Sequence, residues 1–92
     1  MKKAVKFLII GTVQGVFFRQ FCKDNADALK LRGYVRNLET GNVEIVAEGD
    51  QLDIEKFYEI LKKGPPHAQI KNLTFEEKKY SGDFKDFRIM KF

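Results

Sequence analysis

Cysteine, histidine, proline and tryptophan are nearly missing from this chain: one Cys, one His, two Pro and no Trp among 92 residues. A single cysteine, Cys22, excludes an intrachain disulfide and a cysteine-based metal cluster. The lone His67 follows Pro65-Pro66 in a loop, and nothing in the sequence supplies it with a catalytic partner. No stretch approaches the roughly 20 apolar residues of a membrane span. The N-terminal MKKAVKFLII has lysines and apolar residues, but Lys6 interrupts the run and no small-residue cleavage site follows. It reads as a strand rather than a signal peptide, and the cytoplasm is the expected compartment. A strong charge imbalance is missing too. Seventeen basic and 13 acidic residues leave a net +4, with both signs interspersed as in Glu76-Glu77-Lys78-Lys79. That pattern fits a solvated surface better than the clustered basic stripe of a nucleic-acid binder.

What is present is phenylalanine: nine residues, within a chain that is 43% hydrophobic and 33% charged. This composition suits a globular protein with a phenylalanine-rich core. The length predicts one domain over residues 1–92, without repeats or linkers.

The hydrophobic pattern alternates between two periods. Ala4 to Ile10 (AVKFLII) is apolar on both faces except Lys6, as in a central strand. From about Phe18, apolar residues recur at Phe21, Cys22, Ala26 and Leu29, predicting a helix to about Leu31 with Gly33 as its stop. Tyr34 to Leu38 is a short strand, and Gly41 in Glu39-Thr40-Gly41-Asn42 supplies the positive φ of a hairpin turn. Val43, Ile45 and Ala47 alternate with Glu44, Val46 and Glu48, predicting a half-exposed strand broken by Gly49-Asp50. Asp50 is placed to cap a second helix through Leu52, Ile54, Phe57, Tyr58 and Leu61, which ends at Lys62-Lys63-Gly64 before Pro65-Pro66. Strands over Ile70 to Tyr80 and from Phe84 to Met90 complete the chain, with a turn at Ser81-Gly82-Asp83. The order β-α-β-β-α-β predicts an α+β, ferredoxin-like sandwich: one mainly antiparallel sheet with two helices on one face.

The stretch most open to chemistry is GTVQGVFFRQF, Gly11 to Phe21. Gly11 would end the first strand, and Gly15 lets the backbone curl tightly before a helix opens. The amides of Gly15, Val16, Phe17, Phe18 and Arg19 can then converge on one concavity at the positive end of the helix dipole, an anion nest. Arg19 adds a planar fork of donors matched to phosphate oxygens. Other phosphate chemistries fail on detail. There is no GxxxxGK[ST], no GxGxxG, and no cysteine at the start of the loop. No Asp or Glu occurs between Lys3 and Asp24, so the loop offers neither a phosphoaspartate nor a magnesium ligand. On spacing alone, a βα turn that happens to hold two glycines explains the stretch equally well.

The residues also carry a resemblance. GTVQGVFFR closely resembles the acylphosphatase signature GxVQGVxFR. A second signature of that family is matched by Gly33-Tyr34-Val35-Arg36-Asn37 followed by Gly41-Asn42-Val43-Glu44. The spacing of the two, the GPP loop after helix two and the chain length agree as well, so the resemblance covers essentially the whole chain. It implies hydrolysis of the carboxyl–phosphate bond of acyl phosphates, with no cofactor, no metal and no covalent phosphoenzyme. It further implies that Arg19 and the amides of Gly15 to Arg19 bind the phosphoryl group, and that Asn37 holds the attacking water. Phe17 stands where many members have glycine, Tyr34 where tryptophan is frequent, and Leu38 where some members have a polar residue.

The expected partners are therefore a small-molecule acyl phosphate and inorganic phosphate, the latter as product and inhibitor. No nucleic acid or membrane partner is expected, and the chain should be a monomer. The competing readings are a non-catalytic domain that holds an acyl or carbamoyl phosphate for a larger enzyme, and a nucleic-acid-binding ferredoxin-like module. The second lacks the aromatic run K/R-G-F/Y-G/A-F-V-x-F/Y. Arg36 reads as surface, Arg32 as helix-end charge, Arg88 as structural, Gln14 as a possible brace for the loop, and Cys22 as core. The last strand is too short to place the Phe92 carboxylate relative to the site.

Overall fold

The computed structural model describes residues 1–12 and 16–91, together with the side chains of all of these except 12 and 16. Seven elements follow one another: β1 (Lys2–Thr12), α1 (Val16–Ala28), β2 (Arg32–Asn37), β3 (Val43–Asp50), α2 (Gln51–Lys63), β4 (Gln69–Lys78) and β5 (Phe87–Met90). The strands form one sheet in the order β4-β1-β3-β2-β5. All neighbouring pairs are antiparallel except β2 with β5. This is the ferredoxin-like α+β fold.

Period-two alternation sends Val5, Phe7 and Ile9 of β1 and Val43, Ile45 and Ala47 of β3 to the helix-covered face, where they are buried. α1 adds Phe18, Cys22 and Ala26, and α2 adds Ile54, Phe57 and Leu61, each set repeating every three or four residues on one helix face. Phenylalanine does set the core. Phe57 meets Phe7 edge-on at 5.9 Å and Phe87 edge-on at 6.2 Å, the geometry that ring quadrupoles favour. Truncating such a ring costs about 3–5 kcal/mol.

Several boundaries differ from the sequence reading. α1 ends at Ala28, and its terminal turn is closed by Leu31 N–H donating to the Ala26 carbonyl at 2.9 Å. Lys30 takes the left-handed conformation just past the helix (φ 58°), while Gly33, with φ 146°, lies further on. Gly33 lies inside β2 because the neighbouring strand comes too close for a side chain: a Cβ there would sit 1.9 Å from the Val46 carbonyl oxygen. Arg32 correspondingly opens β2 rather than ending a helix. Gly11 does not end β1 but sits at a register shift against β4, where a Cβ would lie 2.1 Å from the Gln69 carbonyl oxygen. Asp50 precedes α2 without capping it through its side chain, which instead approaches the Lys2 ammonium at 3.6 Å.

β3 is not half-exposed. It lies between β1 and β2, and its two glutamates are buried at 7% and 5% exposure. Residues 79–86 explain the late start of β5. They carry the chain from the β4 edge to the β5 edge across the face opposite the helices, where the Phe84 ring meets Tyr34 at 6.1 Å, tilted by 60°. The hairpin turn stands as read: Gly41 has φ 96° and Leu38 N–H donates to the Asn42 carbonyl at 2.8 Å.

Candidate active site

Arg19 is the fourth residue of α1, and Asn37 is the last of β2. They are distant in sequence, yet the sheet brings them to one corner. Arg19 Nη1 donates to the Met90 carbonyl at 3.3 Å. Met90 ends β5 and registers with Arg36, the residue before Asn37. Asn37 shares the helix-facing side with the fully buried Val35, because residues two apart in a strand point the same way. The start of α1, the end of β2 and the end of β5 therefore meet at one place.

Polar satisfaction singles out the same two residues. Arg19 Nε and Asn37 Oδ1 are buried and have no hydrogen-bond partner among the described residues. A buried polar atom without a partner costs about 1–3 kcal/mol, so such atoms are rare and call for a reason. Their chemistry is complementary: Nε can only donate and Oδ1 can only accept. The first amides of α1 lack partners within the helix, and its first turn carries no acidic residue. An arginine at this end opposes the helix dipole, unless an anion sits between them. Phe17, also in the first turn, is 89% exposed at the rim.

Of the residues singled out in the loop, Gln14 and Gly15 lie outside the described residues, as does Phe92. Val16, Phe17, Phe18 and Arg19 form the opening of α1, with Phe18 packed in the core. Cys22 is fully buried, and burial pushes its thiol well above the ordinary range. His67 is exposed in the loop after α2. Arg88 pairs with Asp86 at 2.9 Å on the surface. No three His, Cys, Asp or Glu side chains gather in one place among the described residues.

Arg36 is not simply surface. On the face opposite the helices its Nε donates to Glu44 Oε1 at 2.8 Å, and Tyr34 O–H donates to the same oxygen at 2.9 Å. Lys6 Nζ lies 3.9 Å from the other carboxylate oxygen. Burial pushes the Glu44 carboxyl up, but the hydrogen bonds from Arg36 and Tyr34 and the charges of Arg36 and Lys6 more than offset it, leaving the pKa below its ordinary value. Burial first, and then the Glu44 carboxylate, raise the Tyr34 phenol. Nearby, Glu48 accepts from Ser81 N–H, Ser81 O–H and Gly82 N–H at 2.9–3.0 Å. The sequence concealed both clusters, since alternation alone marks Glu44 and Glu48 as exposed. The Met90 tether was equally hidden, because any residue supplies a carbonyl.

An open groove of about 790 Å³ lies elsewhere, between α2 and the β1–β4 side of the sheet, lined by Phe7, Leu52, Tyr58 and Phe75 among others, but by neither Arg19 nor Asn37. Its walls are mainly apolar, whereas the Arg19–Asn37 corner holds buried polar atoms without partners among the described residues.

Comparison with known proteins identifies the family. The acylphosphatase family model matches residues 5–89. A curated acylphosphatase of Syntrophotalea carbinolica is 45% identical over 85 residues, covering 92% of each chain. The solved structure of an acylphosphatase from Coxiella burnetii superposes with a TM-score of 0.90 at 39% identity, over 97% of this chain and 93% of that one. HypF of T. kodakarensis contains a similar region, 42% identical with a TM-score of 0.82, which spans 96% of this chain but 12% of HypF. With both signature segments meeting at one corner of a ferredoxin-like sheet, the chain belongs to the acylphosphatase family.

Proposed function

We propose that the chain hydrolyses the carboxyl–phosphate bond of acyl phosphates by direct attack of water, without a metal or a covalent phosphoenzyme. The observation that carries this reading is the pair of buried atoms at one corner that find no partner among the described residues, a donor on Arg19 and an acceptor on Asn37. A phosphoryl group needs donors, and an attacking water needs an acceptor to orient it. Arg19 and the amides from Gly15 to Arg19 take the phosphoryl oxygens. The Met90 carbonyl holds the guanidinium in place. Asn37 Oδ1 accepts a hydrogen bond from the water and aligns it opposite the leaving oxygen.

So few groups suffice for a chemical reason. The bond that forms joins the water oxygen to phosphorus. The bond that breaks releases its electron pair to a carboxylate, whose acid has a pKa of about 4, so no general acid is required. The water proton passes to a phosphoryl oxygen. Phosphoryl transfer has a loose transition state with charge on the peripheral oxygens, where positioning and fixed donors do most of the work. An amide is too weak a base to deprotonate water, so Asn37 orients rather than ionises it. Inorganic phosphate leaves as product and competes for the same donors. Residues 1–92 act as one domain, a single chain carries the complete site, and the compartment is the cytoplasm. Among the described residues, no helix is long and apolar enough to cross a membrane.

The HypF likeness favours a second reading, a phosphate-holding domain within a larger assembly. One assay separates the two: hydrolysis of acetyl or benzoyl phosphate by the purified, folded chain with a chelator present. Turnover supports the enzyme. Phosphate binding without turnover supports the holding domain, and a requirement for magnesium overturns the mechanism.

A further inference from the structure

Among the described residues Phe17 is the most exposed phenylalanine, at 89%. Phe7, Phe18, Phe57 and Phe87 are buried in the core, and Phe21 packs against it. Phe17 enters none of the ring pairs that the described residues form. A single exposed apolar side chain is ordinary; the position of this one is not. Phe17 is the second residue of α1, and a helical side chain leans back toward the helix N-terminus. Its ring therefore overhangs the end of α1, where the amides take the phosphoryl oxygens in the proposed reaction.

The helix also gives a direction. Arg19 turns toward β5, where its Nη1 donates to the Met90 carbonyl, and Phe18 turns into the core. Phe17 stands two residues before Arg19, about 200° around the axis at 3.6 residues per turn. It lies on the side of α1 away from β5, and so away from Asn37, whose neighbour Arg36 registers with Met90. In-line displacement sets the attacking water and the leaving oxygen on opposite sides of phosphorus. With the water on Asn37, the leaving carboxylate and the acyl group behind it emerge on the Phe17 side.

We propose that Phe17 is the contact for the acyl group and selects acyl phosphates whose acyl group is flat and apolar, an aroyl phosphate over a short alkanoyl one. The proposal rests on the hydrolase reading above and adds a substrate class to it. Arg19, Asn37 and the amides reach the phosphoryl group and the water, which every acyl phosphate reaction shares, so they do not distinguish one acyl group from another. The Phe17 ring does. It offers an offset or edge-on contact to a second ring, and a methyl group covers little of it. The contact is remote from the bond that breaks, so it is made equally before and at the transition state and acts on KM rather than kcat.

The test is the ratio of kcat/KM for benzoyl phosphate to kcat/KM for acetyl phosphate, measured on the full chain and on Phe17→Ala, Phe17→Leu and Phe17→Tyr. Both substrates carry the same phosphoryl group, so any disturbance of the α1 amides cancels in the ratio. Phe17→Ala should lower the ratio by about 3- to 10-fold, the scale of one aromatic contact, through a higher KM for benzoyl phosphate. Phe17→Leu, apolar but not flat, should fall between, and Phe17→Tyr should keep the ratio of the unaltered chain. Thermal melting confirms that each variant is folded, as expected for an exposed helical position. A ratio that Phe17→Ala leaves unmoved, or that falls through kcat alone, overturns the proposal, while turnover of acetyl phosphate still supports the hydrolase. Absence of turnover of both substrates by the unaltered chain overturns the hydrolase reading, and the proposal with it.

Discussion

The two faces of one sheet treat their polar groups in opposite ways. On the open face Glu48 accepts three hydrogen bonds from residues 81–82, and Glu44 accepts from Arg36 and Tyr34. On the helix side, at the end of β2, Arg19 Nε and Asn37 Oδ1 have no partner among the described residues. Both arrangements bury polar atoms. Only the first recovers the desolvation cost within the fold; the second leaves it to be recovered by something bound. The difference separates polar groups that hold the structure from the pair to which we assign the chemistry.

That comparison breaks most visibly at Arg19. Arg19→Ala should lower kcat/KM by about 10³–10⁵, the scale of a guanidinium stabilising a phosphoryl transition state, and should abolish competitive inhibition by phosphate. Retained inhibition would remove Arg19 from the phosphate site. Asn37→Ala should cost about 10²–10³ in kcat, as for loss of one positioned group, while phosphate inhibition persists. Asn37→Ala should leave the melting temperature unchanged, since Oδ1 has no partner among the described residues, whereas Arg19→Ala also removes the bond to the Met90 carbonyl and should lower it slightly; calorimetry checks both.

The open face should respond the other way. Glu48→Ala orphans the amides of Ser81 and Gly82 and should destabilise the chain by about 1–3 kcal/mol, with kcat/KM of the folded protein unchanged. A fall in activity without a fall in stability would erase the distinction between the faces. The smallest effect belongs to pH. The Glu44 carboxyl titrates below its unfolded value of about 4.3. Its contribution to stability is therefore fully present above that pH and is lost as pH falls through the lower folded value. Urea unfolding at stepped pH should show this acid-side loss, and Glu44→Gln should flatten it.

The sequence made some of this readable and hid the rest for definite reasons. Helix faces were legible because Phe18, Cys22 and Ala26, or Ile54, Phe57 and Leu61, repeat at helical spacing. The α1 terminus was misjudged because glycine is the usual left-handed residue, whereas here Lys30 takes that role and Gly33 answers a close strand. Glu44 and Glu48 were read as exposed because alternation cannot report a loop that later crosses the sheet. Arg19 and Asn37 were legible as residues, through the signature segments. Their unpartnered state and the Met90 tether were not.

By itself, the sequence determined the order and period of the elements, the phenylalanine core, the family signature and the identities of the arginine and asparagine. These are local properties, set by spacing and side-chain type. The tertiary structure alone decided that the start of α1, the end of β2 and the end of β5 share one corner. It also decided which buried polar atoms find partners. Those outcomes depend on strand order and register, which join residues as far apart as Arg19 and Met90 and which no window of sequence contains.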